Sequence, residues 1–355
     1  MTEIGERKME RITIKEIAKL CGVGVSTVSR AINNHPDINE ETKKKIMDTI
    51  KQYNYIPNNS ARNLKRSASK TIGVLMKGMT NPFFTKMIRI FQEEIDRNRY
   101  DMILQEVSEE EDEVEVALEI IKEKKLKGIV FLGGYFHHKQ EQLKEIPVPF
   151  VLATISLKED IDPTIYSSVS VDDYLESYKM TKYLIHELGH EKIVILGATK
   201  KDTSIGNLRL AGYRDACLEA KIDIKNLICY SDDIEDVYSL KNGYDMTKRL
   251  LEERRDFTCL YAISDVMAIG ASKALLEAGI KIPEDCAVAG FDGLEETFYY
   301  NPSITTLKQP SKEIAKEAIR ILFALIYKKE GNQHIVFEGE LLKRESTEIK
   351  KKNKK

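Results

Sequence analysis

TIKEIAKLCGVGVSTVSRAIN, residues 13–33, decides how the amino-terminal part of the chain folds. Thr13 and Glu16 have capping-box spacing: the threonine caps a helix and the glutamate reaches back to it. Ile14, Ile17, Ala18 and Leu20 then form a short apolar stripe, which Cys21-Gly22-Val23 ends. Val25 to Ile32 resumes helical spacing. Further on, Asn39 is placed to cap a third helix with Ile46, Ile50 and Tyr53 on its buried side. Ala18, Gly22 and Val28 meet three separate demands of a helix-turn-helix. The small residue lets the helices cross closely, the glycine takes the positive φ of the turn, and the branched residue plugs the second helix onto the first.

The second helix carries chemistry suited to a DNA major groove. Ser26, Thr27 and Ser29 are short hydroxyls for phosphates or base edges, Arg30 can fork onto a guanine, and Val25 can touch a thymine methyl. Gly24 stands at the start of this helix and Asn33 at its end. Charge agrees. Residues 1–70 hold 14 Lys+Arg against 8 Asp+Glu, while the whole chain sums to −2, so the remainder carries −8. A basic segment on an acidic body points to a polyanion partner at one end.

The bulk numbers bound the rest. At 355 residues, 42% hydrophobic and 32% charged, the chain is an ordinary soluble mixture with room for two or three domains. No apolar run reaches membrane-spanning length, and the charged start has no apolar signal region. Five dispersed cysteines, with no C-x-x-C pair, fit core residues in a reducing cytoplasm.

From Thr71 onward the pattern alternates between strands and helices. Buried strands are predicted at 72–76, 102–104, 128–132, 148–153, 193–196, 227–230, 259–263 and 287–289, with amphipathic helices such as 82–98 and 262–278 between them. Such alternation predicts parallel sheets covered by helices on both faces, and the length suffices for two such lobes.

With Ile14-x-x-Ile17-Ala18, Gly22-Val23, Thr27-Val28-Ser29-Arg30, Tyr55-Ile56-Pro57-Asn58 and Ala61-Arg62-x-Leu64, the chain resembles the lactose-repressor (LacI/GalR) family of bacterial transcription regulators. The likeness continues through Asn81-Pro82-Phe83-Phe84, Arg209-x-x-Gly212-Tyr213, Ser264-Asp265-x-Met267-Ala268-x-Gly270, Gly290-Phe291-Asp292 and Arg344-Glu345-Ser346-Thr347. It implies a helix-turn-helix headpiece (1–57), a hinge helix and linker (58–70), a core of two doubly wound parallel-sheet lobes like a periplasmic binding protein (71–347), and a basic tail (348–355). Three crossovers between lobes are expected near 170, 301 and 331. The resemblance also implies a homodimer on a near-palindromic double-stranded DNA operator. Tyr55 and Asn58 are then DNA contacts, and Leu64 is a minor-groove wedge that bends the duplex.

A small-molecule effector (a sugar, sugar phosphate or nucleoside-type ligand) is expected between the lobes, beyond the carboxyl ends of the strands. Phe83 and Phe84 can wall that cleft. The resemblance places Arg209, Ser264 and Asp292 as polar contacts and Tyr238 as a stacking ring. A protein corepressor remains an alternative, as does a solute receptor built on the same lobes. The chain departs from the family at two places. Gly24 replaces a usual serine, removing a phosphate contact. Lys77-Gly78 replaces Pro-Asp after the first core strand, and a gained cation favours an anionic effector.

HELGH, residues 186–190, matches the zinc-protease pattern H-E-x-x-H. Gly189 is a natural helix terminator, and the strand Ile193–Leu196 follows at once. The two imidazoles are therefore not expected on successive turns of one helix, and no metal, cofactor or catalytic residue is assigned. His190 is expected to tie down the turn. The neighbours His137 and His138 diverge and read as a surface loop. The acidic run 109–113 precedes a helical pattern and suits that helix's positive end.

Overall fold

The computed structural model describes residues 12–32, 35, 37–53, 55, 70–78, 81–108, 110–134, 138–155, 157, 161–200, 205–232 and 237–348. The chain divides into two units, Met1–Ala68 and Ser69–Lys355.

The first unit holds α1 (Ile14–Cys21), α2 (Val25–Ile32) and α3 (Glu40–Gln52). The Thr13 amide and hydroxyl donate to the Glu16 carboxylate at 2.6 and 2.9 Å, completing the capping box. Gly22 takes φ +67° and returns its amide to the last carbonyls of α1. A β-carbon there would meet nothing, so the glycine is required by its dihedral and not by crowding. Ile17, Ala18, Val28, Ala31 and Ile46 form the core. Asn39 caps α3 by accepting from the Glu41 and Thr42 amides. Tyr53 differs from expectation and is exposed. It is the C-cap of α3, where the chain turns, and Tyr55 packs against the core in its place.

The second unit holds two six-stranded sheets. The first contains β1 (Thr71–Met76), β2 (Asp101–Glu106), β3 (Gly128–Leu132), β4 (Phe150–Ala153), β5 (Ser167–Val171) and β11 (His334–Phe337). The second contains β6 (Ile193–Leu196), β7 (Ile228–Cys229), β8 (Cys259–Ala262), β9 (Ala287–Asp292), β10 (Thr305–Lys308) and β12 (Glu340–Leu342). Their orders, β2-β1-β3-β4-β5-β11 and β7-β6-β8-β9-β10-β12, are the same doubly wound pattern used twice. All pairs are parallel except β10 with β12. Central strands such as β3 and β6 are buried at every residue, as helices on both faces require.

The helices are α4 (Pro82–Arg97), α5 (Glu113–Lys124), α6 (Gln140–Lys144), α7 (Asp173–Lys182), α8 (Ile205–Glu219), α9 (Leu240–Glu253), α10 (Asp265–Glu277), α11 (Glu296–Tyr299) and α12 (Ser311–Ile326). Asn81 caps α4 and Asp112 caps α5, so the acidic run does meet a helix's positive end.

The crossovers correct two expectations. The chain leaves the first sheet after Val171, returns between Lys308 and Ser311, and leaves again between Phe337 and Glu340. Residues near 301 still belong to the second lobe, because they feed β10, which pairs with β9. Residues near 331 lead into β11, which pairs with β5 in the first. Helix α12 belongs to the first lobe, where Ile314, Ala318, Ile319 and Leu322 pack into its core. No described helix is long and apolar enough to cross a membrane.

Candidate functional site

The carboxyl ends of the strands enclose a cleft of about 550 Å³ of empty space, part of it continuous with solvent. Lys77, Gly78, Asn81, Phe83, Phe84, Gly133, Gly134 and Thr154 line it from the first lobe, and Ile205, Arg209, Tyr238, Asp292 and Gln309 from the second. The position follows from topology: β1, β3, β4, β9 and β10 all end here. Both phenylalanines line the cleft while remaining largely buried, their rings edge to face at 5.5 Å. Gly133 has φ +68°, and a β-carbon there would stand 2.6 Å from the Phe84 ring, so this glycine lets the ring reach the wall.

The polar side is a buried network. Arg209 donates through Nε to Asp173 Oδ1 at 2.8 Å and through Nη1 to the Ile263 carbonyl at 2.6 Å. The same Nη1 lies 3.4 Å from Asp292 Oδ1, and the guanidinium stacks 3.7 Å from the Phe291 ring centre. Burial opposes the arginine's charge, but Asp173 and Asp292 outweigh it and hold its pKa above the ordinary value. Gln309 Nε2 donates to Asp292 Oδ1 at 2.8 Å. Burial pushes the Asp292 carboxyl up to about 6, against the pull of Arg209 and Gln309. Asp292 sits at φ +118°, a strained dihedral for a side-chain-bearing residue.

Among the buried polar atoms of the cleft walls, Asp292 Oδ2 on one side and Thr154 Oγ1 on the other have no hydrogen-bond partner among the described residues. Buried polar groups are normally paired, so a polar occupant belongs between them. Thr154 was not anticipated. Its signal was its place at the end of β4, and it too has a positive φ, +60°. Asn81 belongs to the Asn81-Pro82-Phe83-Phe84 motif, in which only the two phenylalanines are expected at the cleft.

Two expectations fail. Ser264 is fully buried, does not line the cleft, and caps α10 by accepting from the Met267 amide at 3.4 Å. Lys77 lines the cleft but is no open cation. Its Nζ donates to the Glu111 carbonyl at 2.9 Å and lies 3.1 Å from Glu113 Oε1.

His138 is likewise not on a surface loop. Its side chain is buried, with Nε2 at 3.0 Å from Glu113 Oε2 and Nδ1 at 3.6 Å from Asp112 Oδ2. Asp112, Glu113 and His138 bring donor atoms within 4.8 Å of one another, but Glu113 already serves Lys77. His137 lies outside the described residues.

The HELGH segment is no zinc site. After α7 the chain makes a π-helical turn over Tyr183–Glu187, and Gly189 ends it at φ +76°. His186 is exposed on that turn. His190 lies beyond it, with Nδ1 2.9 Å from Thr258 Oγ1, and burial lowers its pKa. As expected, it ties down the turn, fastening it to Thr258 just ahead of β8.

In the first unit, Gly24 precedes α2 and its carbonyl accepts from the Thr27 and Val28 amides. Gly24, Val25, Ser26, Ser29 and Arg30 are exposed on α2 or at its start, and Thr27 is half-buried. Arg30 pairs with Asp37 at 2.9 Å, both side chains about half exposed. Tyr55 is half-buried. Asn33, Asn58 and Leu64 lie outside the described residues.

A family model described as bacterial regulatory proteins, lacI family, matches residues 13–58, and one described as a periplasmic binding protein-like domain matches 183–347. The HTH-type transcriptional regulator MalR of Clostridium butyricum is 42% identical over 337 residues, spanning 94% of this chain and 99% of its own. The chain belongs to the lacI family of bacterial regulatory proteins. Another member, the HTH-type transcriptional repressor PurR of Haemophilus influenzae (strain PittEE), is 32% identical over 90% of this chain and 93% of its own. Among solved structures, a complex of the transcriptional regulator CelR with cellobiose superposes with a TM-score of 0.68 at 25% identity, covering 95% of this chain and all of that one. As a lacI-family member, the chain is a DNA-binding transcriptional regulator and not an enzyme.

Proposed function

We propose that this regulator is a repressor that binds a near-palindromic operator as a homodimer in the cytoplasm and answers to a small polar effector held between its lobes. The pairing of Thr154 Oγ1 and Asp292 Oδ2 carries the reading. They are buried polar oxygens on opposite walls of one cleft, a hydroxyl and a carboxylate, each without a partner among the described residues. A ligand with hydroxyl or amide donors satisfies both only if it bridges the lobes. Phe83, Phe84 and Tyr238 supply apolar faces for the rings of such a ligand. The cellobiose carried by CelR supports a sugar. An exposed aromatic pair, Phe298 and Tyr299, supports self-association of the core.

Headpieces read DNA through Gly24, Val25, Ser26, Thr27, Ser29, Arg30, Asn33 and Tyr55, with Asn58 and Leu64 acting at the hinge. The Arg30–Asp37 pair is exposed, so exchanging Asp37 for a base costs about 1 kcal/mol or less. An effector shifts DNA affinity by its differential affinity for two lobe arrangements.

The test starts with a thermal-shift screen of sugars, sugar phosphates, nucleosides and nucleotides on the full chain. Operator binding is then measured with and without the hit, and the sign of the change separates inducer from corepressor. Asp292→Ala should abolish the response while leaving operator affinity without effector unchanged. An unaltered response in that variant removes the cleft assignment.

A further inference from the structure

The geometry points to Glu113, a residue outside the cleft wall, as the determinant that makes the cleft refuse anions. Lys77-Gly78 stands where Pro-Asp is usual after the first core strand, and this substitution alone would suit a phosphorylated ligand. The side chain nevertheless turns inward. It is 5% exposed, with Nζ 3.1 Å from Glu113 Oε1 and 2.9 Å from the Glu111 carbonyl that accepts from it. Glu113 is as well buried, at 6%. It stands at the first position of α5, where the helix's positive end favours a carboxylate. Its other oxygen lies 3.0 Å from His138 Nε2. Burial raises its pKa, but His138, its own amide and Lys77 outweigh that, and the net shift is downward. The charge of Lys77 is therefore balanced within the first lobe.

The second lobe repeats the logic. Arg209, the cation on that wall, is matched by Asp173 and Asp292. An anion entering the cleft thus meets no unmatched cation among the described residues, and it meets the open oxygen of Asp292. A phosphate would have to draw Lys77 away from a buried carboxylate, which loses its ion-pair partner and keeps only His138 and the helix end. The inference rests on the cleft being the effector site, and it narrows that effector to an uncharged molecule.

The test uses inorganic phosphate as probe, so it does not depend on knowing the effector. Wild type, Glu113→Gln and the double variant Lys77→Met/Glu113→Gln, all full length, are titrated at constant ionic strength by equilibrium dialysis and thermal shift. Wild type should show no saturable binding at millimolar phosphate. Glu113→Gln should bind about tenfold tighter or better, the range of a charge-assisted contact, and the double variant should lose the gain. Glu113→Ser provides the same reading should the glutamine variant not fold. A folded Glu113 variant that gains nothing overturns the proposal. So does saturable wild-type binding that Lys77→Met removes, a result that needs no Glu113 variant. If instead the phosphate results hold but no neutral ligand binds in an Asp292-dependent way, the effector-site reading fails and the charge assignment stands.

Discussion

At the scale of one residue, Asp292 shows what a buried carboxylate on a cleft wall costs the fold. The carboxyl is fully buried, strained in its backbone, and raised from an ordinary 3.8 to about 6. A raised acid binds its proton more tightly in the folded chain than in the unfolded one. Its contribution to stability is whole below about pH 4, declines as pH rises through 4 to 6, and is absent above that. Asp292→Asn keeps an oxygen for Gln309 and leaves Arg209 matched by Asp173. The variant without effector should therefore be more stable than wild type at pH 7, by roughly 1–3 kcal/mol. That difference should shrink as pH falls toward 4. Calorimetric melts across this range check it, and a variant less stable than wild type at pH 7 contradicts the account.

Single elements show what the sequence made readable and what it did not. The capping box at Thr13, the turn at Gly22 and the plug at Val28 were legible because each depends on neighbours a few residues away. The strands β1, β3 and β6 were legible because burial on both faces leaves unbroken apolar runs. By contrast β5 (SSVSV), β10 (TTLK), β11 and β12 escaped, since serine, threonine and half-exposed residues form strands only when a neighbouring strand is there to pair with them. The displaced crossovers near 301 and 331 follow directly from those unseen strands. Within the cleft, Asp292, Arg209 and Tyr238 were found by motif, whereas the inward turn of Lys77 depends on Glu113, 36 positions away, and no local pattern reports it.

The α2 start gives this scale its own experiment. Gly22→Ala places a side chain at φ +67° and should destabilise the headpiece by about 1 kcal/mol. Gly24→Ser has room, its β-carbon no nearer than 3.5 Å to any neighbour, and a serine N-cap should add a few tenths of a kcal/mol. It should also restore a phosphate contact and tighten DNA binding several-fold at low salt. Headpiece hydrogen exchange and operator titrations separate the two effects. Weaker DNA binding by Gly24→Ser would contradict the placement of this helix end on the phosphate backbone.

At the scale of the two-lobed core, control requires that effector binding and lobe arrangement favour each other. Thr154 and Asp292 face one cleft in the same arrangement in which Lys86 of α4 meets Glu295 of the second lobe at 3.4 Å. Val266 and Leu294 of the second lobe also pack into the apolar core of the first. The apolar contact is insensitive to salt. The ion pair is more than half exposed on both sides, so its worth is about 0.2–1 kcal/mol and is screened by salt. Lys86→Glu and Glu295→Lys each set like charges across this contact between the lobes. Each should weaken effector binding about two- to fivefold at low ionic strength, with little change at high salt. Neither residue lines the cleft, so the loss reports lobe arrangement and not ligand contact. The exchanged pair Lys86→Glu/Glu295→Lys should recover most of the wild-type affinity, because the attraction returns with its sign intact. Effector titrations of the four proteins at two salt concentrations measure this directly. If the single reversals leave affinity unchanged at low salt, or the exchange fails to rescue them, effector binding does not draw on this contact.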